Sequence, residues 1–187
     1  MNDIKIFAVA DTHRRLKREL ERLVEKRKEE CDVVVTLGDI PCEGLWCISP
    51  DFGVLGNHDN FGLLGDWDIH GKLVEKNGVS FAGFQGSSRY KDGPFPLYTQ
   101  EESLKLDIPK ADVLISHDRI YKPIMDKAHS GLMGITQYLD MYKPFLHLHG
   151  HHHKQEVYKY NETIVVSVYE CAIITVKNNQ VSVEHLF

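Results

Sequence analysis

The sequence has no long hydrophobic run. Residues 33–37 and 163–168 are among its apolar stretches, and both stop far below the ~18 residues a membrane span needs. The opening Met1-Asn2-Asp3-Ile4-Lys5 lacks the basic start and apolar stretch of a signal peptide, so a cytoplasmic protein is expected. Cysteine is scarce: Cys31, Cys42, Cys47 and Cys171 show no Cys-x-x-Cys spacing, which argues for reduced thiols over a disulfide framework. A cationic excess is missing as well. With 22 Lys and Arg against 27 Asp and Glu, the net charge of -5 gives no general attraction to nucleic acid or anionic membrane. Repeats, low-complexity segments and linkers are also absent, so the 187 residues are read as one domain, 1–187. A hydrophobic content of 42% excludes a disordered chain.

Positive charge is instead concentrated. Residues 14–28 hold Arg14, Arg15, Lys17, Arg18, Arg22, Lys26, Arg27 and Lys28 against Glu19, Glu21 and Glu25. A solvated helix face with opposite-charge pairs is the plain reading, and a phosphate-attracting rim is the sharper one. Leu16, Leu20, Leu23 and Val24 recur there at helical spacing, which predicts an amphipathic helix to about Glu29.

Before that helix, residues 4–10 are β-prone. Residues 33–37 form a β-branched run suited to a buried strand. A loop with Pro41, Gly44 and Pro50 then leads to a short strand at 52–55. Segments 72–76 and 79–84 flank Asn77-Gly78, a strong hairpin signal. Short helices are predicted over 100–105 and 135–142, and strands over 113–116 and 145–149. The remainder alternates as strands at 156–160, 163–168, 172–177 and 181–185. Early strand-helix alternation with a strand-rich second half predicts a layered α/β protein.

Five of these strands end in groups able to bind a metal. Asp11 and His13 follow the first, Asp39 the second, Asn57 the third, His117 the fourth, and His151 and His153 the fifth. In open α/β sheets the loops beyond the carboxyl ends of strands converge on one crevice. Seven oxygen and nitrogen ligands are too many for one tetrahedral ion. They suit two divalent ions if one carboxylate bridges them, an arrangement that acidifies a bridging water and neutralises charge on a phosphoryl oxygen. Carboxylate, imidazole and amide ligands without thiolate favour Mn, Fe, Zn, Co or Ni over Mg or Ca, with Mn the leading expectation.

Asp11-Thr12-His13, Gly38-Asp39, Gly56-Asn57-His58-Asp59, Ser116-His117 and Gly150-His151-His152-His153 occur in the order of the calcineurin-like metallophosphoesterases, which the sequence resembles from about Ile4 to His153. The resemblance implies a four-layer αββα sandwich of two mixed β-sheets flanked by helices, with a dinuclear metal site at one end. It also implies that Asp11, His13 and His153 bind the first ion, that Asp39 bridges, and that Asn57, His117 and His151 bind the second. His58, beside Asn57 at the substrate, would contact a phosphate oxygen and protonate or stabilise the leaving alkoxide, with Asp59 orienting its ring. Ser116-His117-Asp118-Arg119 departs from the family's usual fourth segment, so the adjoining substrate wall is expected to differ.

His147 and His149 share a strand face and are read as structural or supporting, and His152 as structural or solvent-facing. His129, in His129-Ser130-Gly131, and Arg89, after Gly86-Ser87-Ser88, are candidate substrate contacts. The leading expectation is a phosphodiesterase acting through a metal-bridging hydroxide on a small, nucleotide-like phosphate ester. A phosphomonoesterase or nuclease with the same site, and a non-catalytic scaffold with this fold, are the alternatives. Neither a membrane partner nor a large nucleic-acid footprint is expected.

Overall fold

The computed structural model describes residues 1–13, 18–123 and 126–186. Arg14, Arg15, Leu16 and Lys17, which carry part of the predicted basic rim and helix, lie outside them. Two large mixed sheets form the body. The first joins β1 (Ile4–Ala10), β2 (Val33–Thr36), β3 (Phe52–Gly53), β12 (Glu170–Lys177) and β13 (Gln180–His185) in the order β13-β12-β1-β2-β3. The second joins β4 (Leu73–Lys76), β5 (Val79–Phe84), β8 (Val113–Ser116), β9 (Leu146–His149), β10 (Glu156–Tyr160) and β11 (Thr163–Ser167) in the order β10-β11-β9-β8-β5-β4. A separate short pair, β6 (Ser87–Ser88) and β7 (Leu97–Tyr98), closes the base of a loop spanning residues 89–96.

Period-two alternation explains the layering. On β1, Ile4, Ile6, Ala8 and Ala10 face Phe81, Val113, Ile115, Leu146 and Leu148 of the other sheet, forming the core between the sheets. Phe7 and Val9 point the other way, onto Leu23 and Val24 of α1 (Arg18–Lys28) and Leu45 and Ile48 of α2 (Cys42–Ile48). On the far side, Ala82, Phe84, Leu114 and Val165 pack under Ile135, Tyr138 and Leu139 of α4 (Met133–Tyr142), which contacts α3 (Gln100–Ser103). The layers therefore run helix, sheet, sheet, helix.

Asn77 and Gly78 both have positive φ (52° and 71°), as a two-residue hairpin between β4 and β5 requires. The expected loop around Pro41 and Gly44 is instead helical. Pro41 holds φ -62° at the N-cap, and burial of Leu45 and Ile48 beside the first sheet outweighs the helix-weakening Gly44. The strand expected at 52–55 is regular only over Phe52–Gly53.

Candidate metal centre

Strands β1, β2 and β3 are mutually parallel, as are β8 and β9, so within each sheet their carboxyl ends open at one edge. The chain turns sharply there. Five of the seven expected ligands hold left-handed backbone: Asp11 (φ 55°), His13 (47°), Asp39 (58°), His151 (68°) and His153 (49°). Outside glycine this conformation is uncommon, and it clusters where a site over-determines the chain. Two glycines permit the close approach. A Cβ at Gly56 would collide with the Asp39 carboxylate, and one at Gly150 would lie 2.6 Å from Asp11 Oδ2.

These turns bring the side chains into two adjoining groups. Ligand atoms of Asp11, His13 and His153 lie within 4.8 Å of one another, as do those of Asp11, Asp39 and His117. His13 Nε2 is 2.7 Å from His153 Nε2, which is 3.8 Å from Asp11 Oδ1. His117 Nε2 stands 3.6 Å from Asp39 Oδ2 and 2.7 Å from Asn57 Oδ1. The His151 ring is centred 4.9 Å from that of His117. Asp39 also groups with His13 and His58, so it faces both halves of the site.

The hydrogen bonds show what the arrangement lacks. Each buried carboxylate has one oxygen tied to backbone: Asp11 Oδ2 accepts from His151 N at 2.7 Å, and Asp39 Oδ1 from His58 N at 2.8 Å. The other oxygens, Asp11 Oδ1 and Asp39 Oδ2, are buried with no hydrogen-bond partner among the described residues. Burial, followed by the neighbouring Asp39, raises the Asp11 pKa well above the ordinary carboxylate range. His117 donates Nδ1–H to Leu37 O at 2.7 Å, and burial lowers its pKa to about 4. Its neutral ring therefore aims the Nε2 lone pair at another acceptor, Asn57 Oδ1. His151 donates Nε2–H to Ala128 O at 2.7 Å, leaving Nδ1 with the lone pair. Bare carboxylate oxygens and facing lone pairs are the donor set a divalent cation satisfies, so these residues fit a metal.

His58 is exposed at the rim, its ring centred 5.5 Å from that of His13. Burial of its inner side lowers its pKa, Asp39 opposes that shift, and Lys91 adds to it. Both His58 and His13 line a cleft of about 250 Å³ with Pro41, Cys42, Asn60 and Leu63. The ring-orienting role expected of Asp59 needs correction. Its Oδ2 accepts from the backbone N–H of Asp39 and of Gly56, both at 2.8 Å, and no hydrogen bond among the described residues joins it to the His58 ring. Asp59 thus ties the second and third ligand turns together. Burial, then Asp39, raises its pKa to about 6.

Other candidates divide. The His129 ring stacks on His151 at 5.3 Å and its Nδ1 bonds Asp126 at 3.0 Å, which places it at the site mouth. Arg89 bonds Leu97 O at 3.0 Å and Glu102 at 2.8 Å, both through Nη2, which ties it to the base of its own loop. His147 and His149 are fully buried on the helix-facing side of the second sheet. The His152 side chain is sheltered too, bonding Asp118 at 3.1 Å. On α1, Arg27 pairs with Glu30 and Glu184, and Lys28 with the carbonyls of Cys47 and Ile48.

Two contacts escaped the sequence reading. Tyr90 reaches Asn57, whose Nδ2 donates to the phenol oxygen at 2.9 Å. Asp118 lies buried behind His151 and His152. Burial opposes its charge, yet those histidines and the Arg119 N–H hold its pKa at about 2, and Ser88 N–H also donates to it. The departure at Asp118-Arg119 was the only signal for the second. Nothing in the sequence distinguished Tyr90 from other loop aromatics.

A family model described as a calcineurin-like phosphoesterase superfamily domain matches residues 4–179. Among solved structures, TT1561 of Thermus thermophilus is similar with a TM-score of 0.72 at 14% identity, covering 100% of both chains. A predicted phosphoesterase from Streptococcus pneumoniae gives a TM-score of 0.59 at 12% identity, covering 98% of this chain and 89% of that one. A structure described as a novel archaeal phosphodiesterase gives a TM-score of 0.54 at 13% identity, covering 98% and 100%. No curated protein matches by sequence. No helix among the described residues is long and apolar enough to cross a membrane.

Proposed function

The chain belongs to the calcineurin-like phosphoesterase superfamily, and from that premise we propose that it is a dinuclear-metal phosphodiesterase of small, nucleotide-like phosphate esters. The observation that carries this reading is the pair of buried carboxylate oxygens, Asp11 Oδ1 and Asp39 Oδ2, without a hydrogen-bond partner among the described residues, beside the facing acceptors His117 Nε2 and Asn57 Oδ1. Asp11, His13 and His153 would hold one ion, Asn57, His117 and His151 the other, with Asp39 between them. Two divalent ions, Mn first among Mn, Fe, Zn, Co and Ni, would supply an acidified water as nucleophile and neutralise charge on the phosphoryl group.

The chain's own residues do the rest. Backbone N–H groups of His58 and His151 fix the two carboxylates, so the donor geometry is set before substrate arrives. His58 meets the phosphate from the open side. It hydrogen-bonds a phosphoryl oxygen and gives its proton to the leaving alkoxide as the P–O bond breaks. The cleft beside it, floored by Ile40, Pro41 and Leu63, receives the organic part of the ester. Monoesters and diesters both release an alkoxide that His58 could protonate, so the support for a diester is the phosphodiesterase description of the archaeal neighbour. A cytoplasmic location is consistent with four free cysteines.

The test is hydrolysis of a bis-aryl and a mono-aryl phosphate by metal-stripped protein refilled with Mn²⁺, with Asn57→Ala and His58→Ala alongside. Diester turnover that needs metal and collapses in both variants is expected. Preferential monoester turnover would move the substrate class, and a protein that binds two ions yet turns over neither ester would restore the scaffold reading.

A further inference from the structure

The loop at 89–96 stands over the metal centre and has no part in the reading above, on which this inference rests. Its base is closed by the β6–β7 pair, by Arg89 N–H donating to Tyr98 O at 2.9 Å, and by the Arg89–Glu102 ion pair. After Arg89 comes Tyr90, an exposed ring whose hydroxyl reaches Asn57. Tyr90 Oη accepts from Asn57 Nδ2 at 2.9 Å, and Lys91 follows it in the chain. The Lys91 ammonium lies 4.1 Å from the centroid of the Phe95 ring and 5.2 Å from that of Tyr90. Among the described residues it has no carboxylate partner. The aromatic faces hold the ammonium itself, and no carboxylate neutralises it.

The hydrogen-bond direction at Asn57 decides what Tyr90 can do. An amide has one accepting and one donating end. A cation beside His117 requires Asn57 Oδ1 inward, and this sends Nδ2 outward onto Tyr90, as observed. Tyr90 is then the acceptor in that bond, and its own O–H proton has no recipient among the described residues. Were the amide reversed, the phenol would spend that proton on Asn57 Oδ1.

We propose that Tyr90 and Lys91 form an anion clamp opposite the metal centre, in which Tyr90 donates its phenol proton to a non-bridging phosphoryl oxygen and Lys91 meets the charge of the same phosphoryl group. Metal and clamp are coupled through one amide: the ligand orientation of Asn57 is what frees the phenol proton.

The experiment is calorimetric binding of inorganic phosphate to Mn²⁺-refilled wild type, Tyr90→Phe and Lys91→Gln, with Mn²⁺ stoichiometry and thermal unfolding recorded in parallel. Tyr90→Phe keeps the ring beside Lys91 and is expected to weaken phosphate about 10-fold to 100-fold, the loss of one hydrogen bond to a charged group. Lys91→Gln is expected to weaken it about 2-fold to 5-fold, less at high salt, as for an exposed ion pair. Metal-free wild type should lose the Tyr90 dependence. Equal phosphate affinity in wild type and Tyr90→Phe overturns the clamp, as does a refilled wild type that binds no phosphate. Phosphate binding that depends on Tyr90 without turnover of either aryl ester keeps the clamp and overturns the enzyme reading. Ester turnover with phosphate binding indifferent to both variants does the reverse.

Discussion

Five histidines fall within residues 147–153, and the fold sorts them into two environments. His151 and His153 sit on left-handed turns at the mouth between the sheets, His153 Nε2 lying 3.8 Å from Asp11 Oδ1 and the His151 ring 4.9 Å from that of His117. His147, His149 and His152 lie behind them on the helix-facing side of the second sheet, with side chains almost wholly removed from water. There His147 bonds Ser116 Oγ at 2.7 Å, His149 donates Nδ1–H to the Gly150 carbonyl at 3.0 Å, and His152 pairs with Asp118. Burial lowers the pKa of His147 to about 3 and that of His149 well below its ordinary value. One residue type thus serves two purposes within seven positions. Strand alternation directs His147 and His149 away from the crevice, and the turn at Gly150 directs His151 and His153 into it.

The comparison breaks most readily at the mouth. Asp39→Ala should bring metal-dependent turnover down to background and lower bound Mn²⁺ below two per chain, read by metal analysis of dialysed protein. His147→Leu should keep both ions. A variant of Asp39 that retains full metal would end the distinction between the two environments. His58→Ala sharpens it differently, since His58 contributes no expected ligand. Turnover should fall about 10²–10⁴-fold with metal content unchanged, as for loss of a proton donor.

Behind the mouth, the readout should move from activity to stability. His152→Asn removes the ring that bonds the buried Asp118 carboxylate and should cost about 1–3 kcal/mol in urea unfolding while two Mn²⁺ still bind. Loss of metal without loss of stability would put His152 at the mouth after all.

The smallest effect is a pH slope. His147 has a folded pKa of about 3 against an unfolded value near 6.5, so its contribution to stability is complete above pH 6.5 and is lost as pH falls towards 3. Between pH 6.5 and 5.5 that amounts to about 1 kcal/mol. Asp59, raised to about 6, works in the opposite sense: it favours the fold at low pH, and that contribution is lost as pH rises through 6. The difference between metal-free wild type and His147→Leu isolates the histidine. Parallel stability curves across this range would show that His147 is not buried neutral.

The polar strand endings were legible because each closes a strand with a short turn, and such turns carry their chemistry in adjacent residues. Asp39 and Asn57 each follow a glycine, and the close approach seen at Gly56 explains that spacing. Helix α2 was not legible, because Pro41 and Gly44 signal a loop locally while the burial that makes the segment helical comes from the distant first sheet. Arg89 and Tyr90 show the same limit. Neighbours in one loop, they are assigned opposite tasks by partners far along the chain, Glu102 for one and Asn57 for the other.

By itself the sequence determined the alternation of strands and helices, the polar strand endings and the residue types able to ligate metal, since periodicity and turn chemistry are local properties. Only the tertiary structure decided which oxygens remain bare, which tautomer each histidine adopts and which loop residues close over the centre. Those outcomes depend on hydrogen-bond partners from other strands, such as Leu37 O for His117 and Ala128 O for His151. A lone pair is free or spent according to a neighbour that the local sequence does not contain.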